Sequence, residues 1–335
     1  MAMLKINERK NTTAWKVFIL IIFGVLLVIS FFVSNSFGTM KLTNKDIIKA
    51  IFVDETGAKR QVIWNIRLPR TIVACLVGMN LALSGTILQG VMGNPLADPQ
   101  IIGISSGAGL AGILILVVFP EAIHLMAPAA FLGAIGASAL IYALAWKNGI
   151  KPTRIILAGV AVSALLGAGI TTLMVFYSDR VHGAIMFMAG GLSARSWPHV
   201  KIILPYTIVG MTAAFVMADK LDILLLGDDV ARGLGLNVER TRLILTAIAA
   251  LLAASAVCVA GLLGFVGLII PHISRIIIGT NHKYLFPASA LLGGGVLMLC
   301  DTFARTIFSP VEIPVGVVMA ALGAPFFLYL LRKVD

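Results

Sequence analysis

The chain has 335 residues, 59% of them hydrophobic and only 12% charged, against about 45–50% apolar and about 25% charged in soluble domains; no water-soluble fold could bury that much apolar surface. Its 26 basic and 15 acidic residues give a formal net charge of +11, but the basic residues lie in short clusters between apolar runs and form no stripe, which excludes nucleic acid as a partner and points to orientation in a lipid bilayer. Cys75, Cys258 and Cys300 stand alone in apolar stretches with no CxxC spacing, so redox chemistry drops out and small packing residues remain.

Lys5, Arg9, Lys10 and Lys16 precede the apolar run 17–33. That run is too long for a signal-peptide core and 34–38 makes a poor cleavage site, so it reads as a retained first helix. At about 20 apolar residues per crossing, helices are predicted over 16–34, 68–90, 103–119, 126–146, 154–177, 198–217, 242–260, 263–279, 285–304 and 314–331. The expectation is an all-α membrane protein with about ten transmembrane helices, one domain over 16–335 behind a short arm, 1–15. An even number of crossings puts both termini on one side, and 15 of the 26 basic residues fall there, which makes that side cytoplasmic.

Between the first two spans lies an external loop, 35–67, where Ile47, Ile48, Ile51 and Phe52 predict a short amphipathic helix at the interface and Asp54-Glu55-Thr56-Gly57 a turn. The other hydrophilic stretch, 218–242, carries Asp222, Asp228, Asp229 and Glu239 with four basic residues. Gly227, Gly233 and Gly235 break it into two short helices, a polar platform facing the cytoplasm. Glycines within spans, among them Gly78, Gly85, Gly167, Gly169, Gly267 and the triplet 293–295, predict close helix packing, and a conduit would use the same residues.

Gly107 to Gly112 fits a dinucleotide fingerprint by letter, but it runs into a membrane span with no strand before it. No Gly-Lys dipeptide occurs anywhere, so there is no Walker loop, and any ATP must be handled by another chain. The five histidines form no i, i+4 pair, so no metal site is expected; His272 reads as a polar helix end. Asp301 and Arg305, spaced i, i+4 with the acid first, predict a local ion pair. Arg67 and Arg70 open the second span and Arg305 closes the ninth, so three guanidinium groups share one external face. Such a cluster suits an acidic protein surface or an anionic solute; interfacial anchoring is the other reading of the same spacing.

In chain order, RLPRT at 67–71, GMNLALSGTILQGVMGNPLADPQIIGISSGA at 78–108, GGLSARSW at 190–197, LGDDVARGLGLNVERTR at 226–242, GFVGLIIPHISRIIIGTNHKYLFPASALLGG at 264–294 and DTFARTIFSPVEIPVGVVMAALGAPFF at 301–327 resemble the FecCD/cobalamin-type permeases of ABC importers. The resemblance covers nearly the whole chain. It implies the type II ABC importer permease fold in the bacterial cytoplasmic membrane, a dimer with a second permease subunit, an extracytoplasmic substrate-binding protein outside and ABC ATPase subunits inside. It places Arg67, Arg70 and Arg305 against glutamates of the binding protein. Gly227, Asp228, Asp229, Ala231, Arg232, Leu234 and Gly235 fall in the groove of the ATPase, which would hold the ATP and Mg, with no cofactor in this chain. Residues 154–190 resemble the family's gate, where Gly167, Gly169, Met174, Phe176 and Tyr177 line the path. The subunit has no catalytic or metal residue on this reading. The implied cargo is a ferric siderophore, with haem or cobalamin as alternatives, and an ion-coupled secondary transporter is the competing class. The apolar Met174, Phe176, Tyr177, Met186, Phe187 and Met188 suit a bulky chelate better than a bare cation.

Overall fold

A computed structural model describes residues 12–38, 40, 42–52, 57–100, 102–146 and 152–332. The arm up to residue 11, the turn residues Asp54 to Thr56 and the basic Lys147 and Lys151 lie outside them. The regular elements are helices: α1 (Thr13–Ser36), α2 (Asn44–Phe52), α3 (Ala58–Val62), α4 (Leu68–Met92), α5 (Ile104–Val118), α6 (Met126–Ala145), α7 (Pro152–Phe176), α8 (Val181–Ala189), α9 (Trp197–Val216), α10 (Ala218–Leu224), α11 (Asp228–Gly233), α12 (Val238–Ala260), α13 (Val266–Ile278), α14 (His282–Thr306) and α15 (Val315–Leu331). A π-helical turn, Ile63–Arg67, joins α3 to α4 without a break. Seven helices among the described residues are long and apolar enough to cross a membrane, and α5, α13 and α15 are shorter apolar helices. Together they fall on the ten predicted segments.

The long helices divide sharply by burial. In α4, α12 and α14, 78% of the most apolar window is buried, whereas in α1, α6, α7 and α9 the share is 22–28%. The first three form the core, and the others turn apolar faces outward as lipid-facing helices do. Small residues let the core helices touch backbone to backbone: a Cβ on Gly78 or Gly293 would run into the other's carbonyl oxygen, joining α4 to α14, and one on Gly85 would strike the carbonyl of Gly267 on α13. Gly167, by contrast, faces open space. Buried polar groups in the core find partners across helices. Asn80 donates to Thr207 Oγ1 at 2.8 Å and Ser255 Oγ at 2.9 Å, tying α4 to α9 and α12, and Ser84 donates to the Ala249 carbonyl at 2.7 Å.

Hydropathy misplaced the start of one span. Over 263–279 the helix begins only at Val266, because Gly261 (φ 75°) and Phe265 (φ 67°) take left-handed conformations that interrupt it. At 1.5 Å per residue its 13 residues reach about 20 Å, short of the ~30 Å hydrocarbon core, so irregular chain completes the crossing. Residues 93–100 do the same beside α4. After Gly93, the left-handed cap of that helix, the chain folds back until Asp98 and Pro99 reach the level of Leu81, where a Cβ on Gly267 would meet Asp98 Oδ2 at 2.8 Å and the Leu81 carbonyl at 3.0 Å. Irregular backbone at such depth persists only where it is buried or lines a cavity. Pro271 leaves the Gly267 carbonyl without its helical donor, and Gln89 Nε2 supplies one at 3.4 Å.

The amphipathic segment forms as α2, capped at its start by Thr43 and Asp46, which exchange backbone-to-side-chain bonds. Ile47 and Ala50 bury with Leu42 and Ile63 in a satellite core, while Ile48 and Phe52 point outward. The contrast between the packed Gly78 and the open Gly167 yields a graded expectation. Gly78→Val should destabilise the purified protein by about 1–3 kcal/mol or more through overpacking, while Gly167→Ala leaves thermal unfolding in lipid nanodiscs unchanged.

Candidate functional site

Two polar clusters lie at opposite ends of α14. His282 opens this helix and Arg305 lies one residue before its end, about 35 Å away at 1.5 Å per residue. Near the first end is the platform; around the second are the arginines.

At the arginine end, α1 stops at Ser36 with its last carbonyls unpaired within the helix. Arg67 fills that need: Nη1 donates to the carbonyls of Asn35 at 2.7 Å and Ser36 at 3.1 Å, and Nη2 to Met40 at 2.5 Å. A cation at a helix C-terminus is also favoured by the macrodipole. Arg305 Nη2 donates to the Ser34 carbonyl and, at 3.1 Å, to Ser34 Oγ, which in turn bonds Thr71 Oγ1 at 2.9 Å. Arg70 takes the carboxylates. Its Nε and Nη2 donate side-on to Asp301 Oδ2 and Oδ1, both at 2.9 Å, and its Nη1 donates to Glu312 Oε2 at 2.9 Å. Glu312 accepts a further bond from Ser193 Oγ at 2.9 Å.

The expected local pair forms, but as the longer of the two ion pairs that Asp301 makes with arginines. Arg305 Nε stands 4.0 Å from Asp301 Oδ2, because the bidentate fork of Arg70 occupies both oxygens and Arg305 turns to the end of α1 instead. The three arginines do come together at one end, and all three are buried, with their heads turned onto groups of this chain. Arg195, presented by a loop in which Ala194 has φ 58°, stands close enough to Arg70 to feel its charge. Among the described residues, these four arginines therefore cluster around two carboxylates, Asp301 and Glu312. Burial pushes the Glu312 carboxyl up, but the charge and hydrogen bond of Arg70, with help from Ser193, outweigh it and hold the pKa below its ordinary value.

Glu312 and Ser193 are functional candidates that spacing did not single out. Their partner Arg70 is 242 residues from Glu312 in sequence, and no local pattern marks such a pair. Asp98 is another. A cavity of about 360 Å³ lies where the two irregular segments meet α7, lined by Asp98, Gln100, Val160, Ser163, Phe265 and Leu268.

At the other end, the two short helices of the platform form as α10 and α11, separated at Gly227 (φ 96°) and closed at Gly235 (φ 83°). Arg242 Nη1 and Nη2 grip Asp228 at 3.0 and 2.8 Å, and Arg232 bonds Glu239 at 2.7 Å, which raises the Arg232 pKa. Asp222 receives the backbone N–H of His282 at 3.2 Å and its Nδ1 at 2.5 Å, so α10 caps α14. Of the predicted coupling residues, Ala231 is buried, while Asp229, Arg232 and Leu234 face outward beside the exposed Leu226 and Val230. Along α7, Phe176 is exposed, Met174 and Tyr177 pack partly against the core, and a Cβ on Gly169 would meet Leu110 at 3.2 Å. Met186 and Met188 are exposed and Phe187 is buried. Among the described residues no group of three His, Cys, Asp or Glu could hold a metal ion.

The sequence matches the model of the FecCD transport family over residues 26–333. It is similar to the Fe(3+)-citrate import system permease protein YfmE of Bacillus subtilis, 40% identical over 314 residues that cover 93% of this chain and 94% of that one. It is similar also to the cobalamin import system permease protein BtuC of Halobacterium salinarum, 43% identical over 272 residues covering 81% and 73%. A solved structure described as an inward-facing conformation of a metal-chelate type ABC transporter superposes with a TM-score of 0.84 at 30% identity, covering 94% of this chain and 99% of that one.

The platform's geometry separates two neighbouring acids. Asp228→Asn should remove the charge that the buried Arg242 fork grips and lower stability by about 1–2 kcal/mol after allowance for exposure, whereas Asp229→Asn leaves the unfolding temperature where it was.

Proposed function

The chain belongs to the FecCD transport family, and we propose that it is the permease subunit of an ABC importer that moves ferric siderophores through the cytoplasmic membrane. Transport would proceed by ATP-driven alternating access, with both termini cytoplasmic. The observation that carries this reading is likeness along nearly the full length of permeases named for ferric-ion import and of a metal-chelate transporter structure. Cobalamin is the second reading, favoured by the similarity to the Halobacterium permease.

In this proposal the chain does no covalent chemistry and its partners supply the differential stability of inward and outward states. Arg67, Arg70 and Arg305 receive acidic side chains of the binding protein on the outer face, the excess of cations there being what favours an incoming carboxylate. The segment 218–242 is the coupling segment. Asp229, Arg232 and Leu234 seat in the ATPase, and Gly227, Asp228, Ala231 and Gly235 give the segment its shape. Because Asp222 on α10 caps α14, a push on the platform reaches a core helix directly. A second permease subunit completes the path beside α7, where Gly167, Gly169, Met174, Phe176 and Tyr177 form its wall.

Proteoliposomes containing this chain, its ATPase and its binding protein should accumulate ferric siderophore only with ATP, and go on doing so with ion gradients collapsed. Uptake that follows the ion gradient without ATP would overturn the importer reading in favour of a secondary carrier. Leu234→Asp with Arg232→Glu should leave ATP hydrolysis running while uptake falls at least tenfold; normal coupling would remove the platform from the mechanism.

A further inference from the structure

Every bond that Arg70 makes is satisfied inside the chain, yet the docking reading above, on which this inference rests, asks it to meet a carboxylate from outside. The way the guanidinium is shared resolves the conflict. Two of its nitrogens hold Asp301, whose side chain is 2% exposed on the core helix α14, and the third holds Glu312, whose side chain is 40% exposed. Glu312 stands on the non-helical link between α14 and α15. Of the two carboxylates, only that one can leave without opening the core.

We propose that Glu312 occupies the place of the docking partner's carboxylate, and that a binding protein exchanges its own acidic side chain for Glu312 at Nη1 of Arg70 while Asp301 stays in position. The local charge favours the exchange: Arg67, Arg70, Arg195 and Arg305 outnumber Asp301 and Glu312, so an added carboxylate enters a net positive field. The released Glu312 remains at the exposed rim and regains water.

What Glu312 lets go of gives the exchange a consequence. Its carboxylate also accepts from Ser193, in the segment that follows α8, and that segment is joined to the start of α15 by the bond from Gly316 N–H to the Gly190 carbonyl at 3.0 Å. While Glu312 is on Arg70, the link before α15 and the segment after α8 are strapped to the core helix α4; once it is displaced, that strap is lost, while the bonds from Gly191 N–H to the Ala260 carbonyl at 2.8 Å and from Ile313 N–H to the Ala304 carbonyl at 3.2 Å remain. Docking therefore loosens the link around Glu312 from α4, and the closed strap holds that link against α4 while no binding protein is present.

The test uses the whole importer in nanodiscs, spin labels at the exposed positions Ile66 and Val311, and purified binding protein. Wild-type docking should lengthen the distance between the labels. Glu312→Gln, which removes the competing charge, should tighten docking about tenfold, equivalent to about 1.4 kcal/mol. It should also show the lengthened distance before any binding protein is added, a readout that a simple change of surface charge would not move. Unchanged or weaker docking of Glu312→Gln, or a label distance that docking leaves alone, overturns the exchange. Salt separates this from failure of the docking reading itself: wild-type docking that does not weaken as ionic strength rises would remove the ionic docking site, and the exchange with it.

Discussion

The architecture depends on one buried ion pair, Arg70 with Asp301. It joins the first turn of α4 to the last turns of α14 through two parallel bonds, in a region where either charge alone would be costly to bury. Removing one partner of such a pair typically costs about 3–5 kcal/mol, because the other is left uncompensated. The pair also sets where everything else at that end goes. With both Asp301 oxygens taken, Arg305 turns to Ser34 at the end of α1. Arg70 keeps one nitrogen over, and that nitrogen gathers Glu312 and, through it, Ser193.

The same two helices carry the rest of the core. α4 and α14 touch through Gly78 and Gly293, so their backbones sit too close to slide independently, and α14 runs from the arginine pair to the cap that Asp222 places on His282. A displacement of the platform thus has a stiff element to act on, one that ends at the site where we place the binding protein. Near the middle, two irregular segments, 93–100 and 261–265, interrupt the helical bundle, and the cavity beside Asp98 and Ser163 opens there. Rigid struts between a polar platform and a charged rim, with non-helical backbone between them, suit a subunit that changes state when partners act on its two ends.

Much of this was legible in the sequence where the cause is local. The apolar runs placed ten helical segments because burial in lipid demands length and hydropathy, both of which are read residue by residue. Gly227 and Gly235 marked the breaks in the platform because each adopts a positive φ. The amphipathic spacing found α2, although two of the four residues that marked it, Ile48 and Phe52, face outward and not into the satellite core. The arginines were found as a cluster, since helix ends at one face can be counted from topology. Their partners were not. Asp301 reads locally as the partner of Arg305 because i, i+4 spacing is visible, and that pair forms at 4.0 Å; its closer partner Arg70 lies 231 residues away and holds it by meeting the carboxylate side-on with a planar fork. Hydropathy likewise could not show that α13 starts only at Val266: Gly261 to Phe265 is as apolar as a helix, and the positive φ of Gly261 and Phe265 interrupts it.

The most direct measurement is a double-mutant cycle on Arg70→Gln and Asp301→Asn, read by thermal unfolding of the protein in nanodiscs. If the pair is the fixed point of the fold, the two substitutions together should cost less than the sum of the singles, with a coupling energy of about 1.5–3 kcal/mol, at the upper end for residues in contact. Additivity within about 0.3–0.5 kcal/mol would contradict it, and would mean that the core holds α4 to α14 through packing alone.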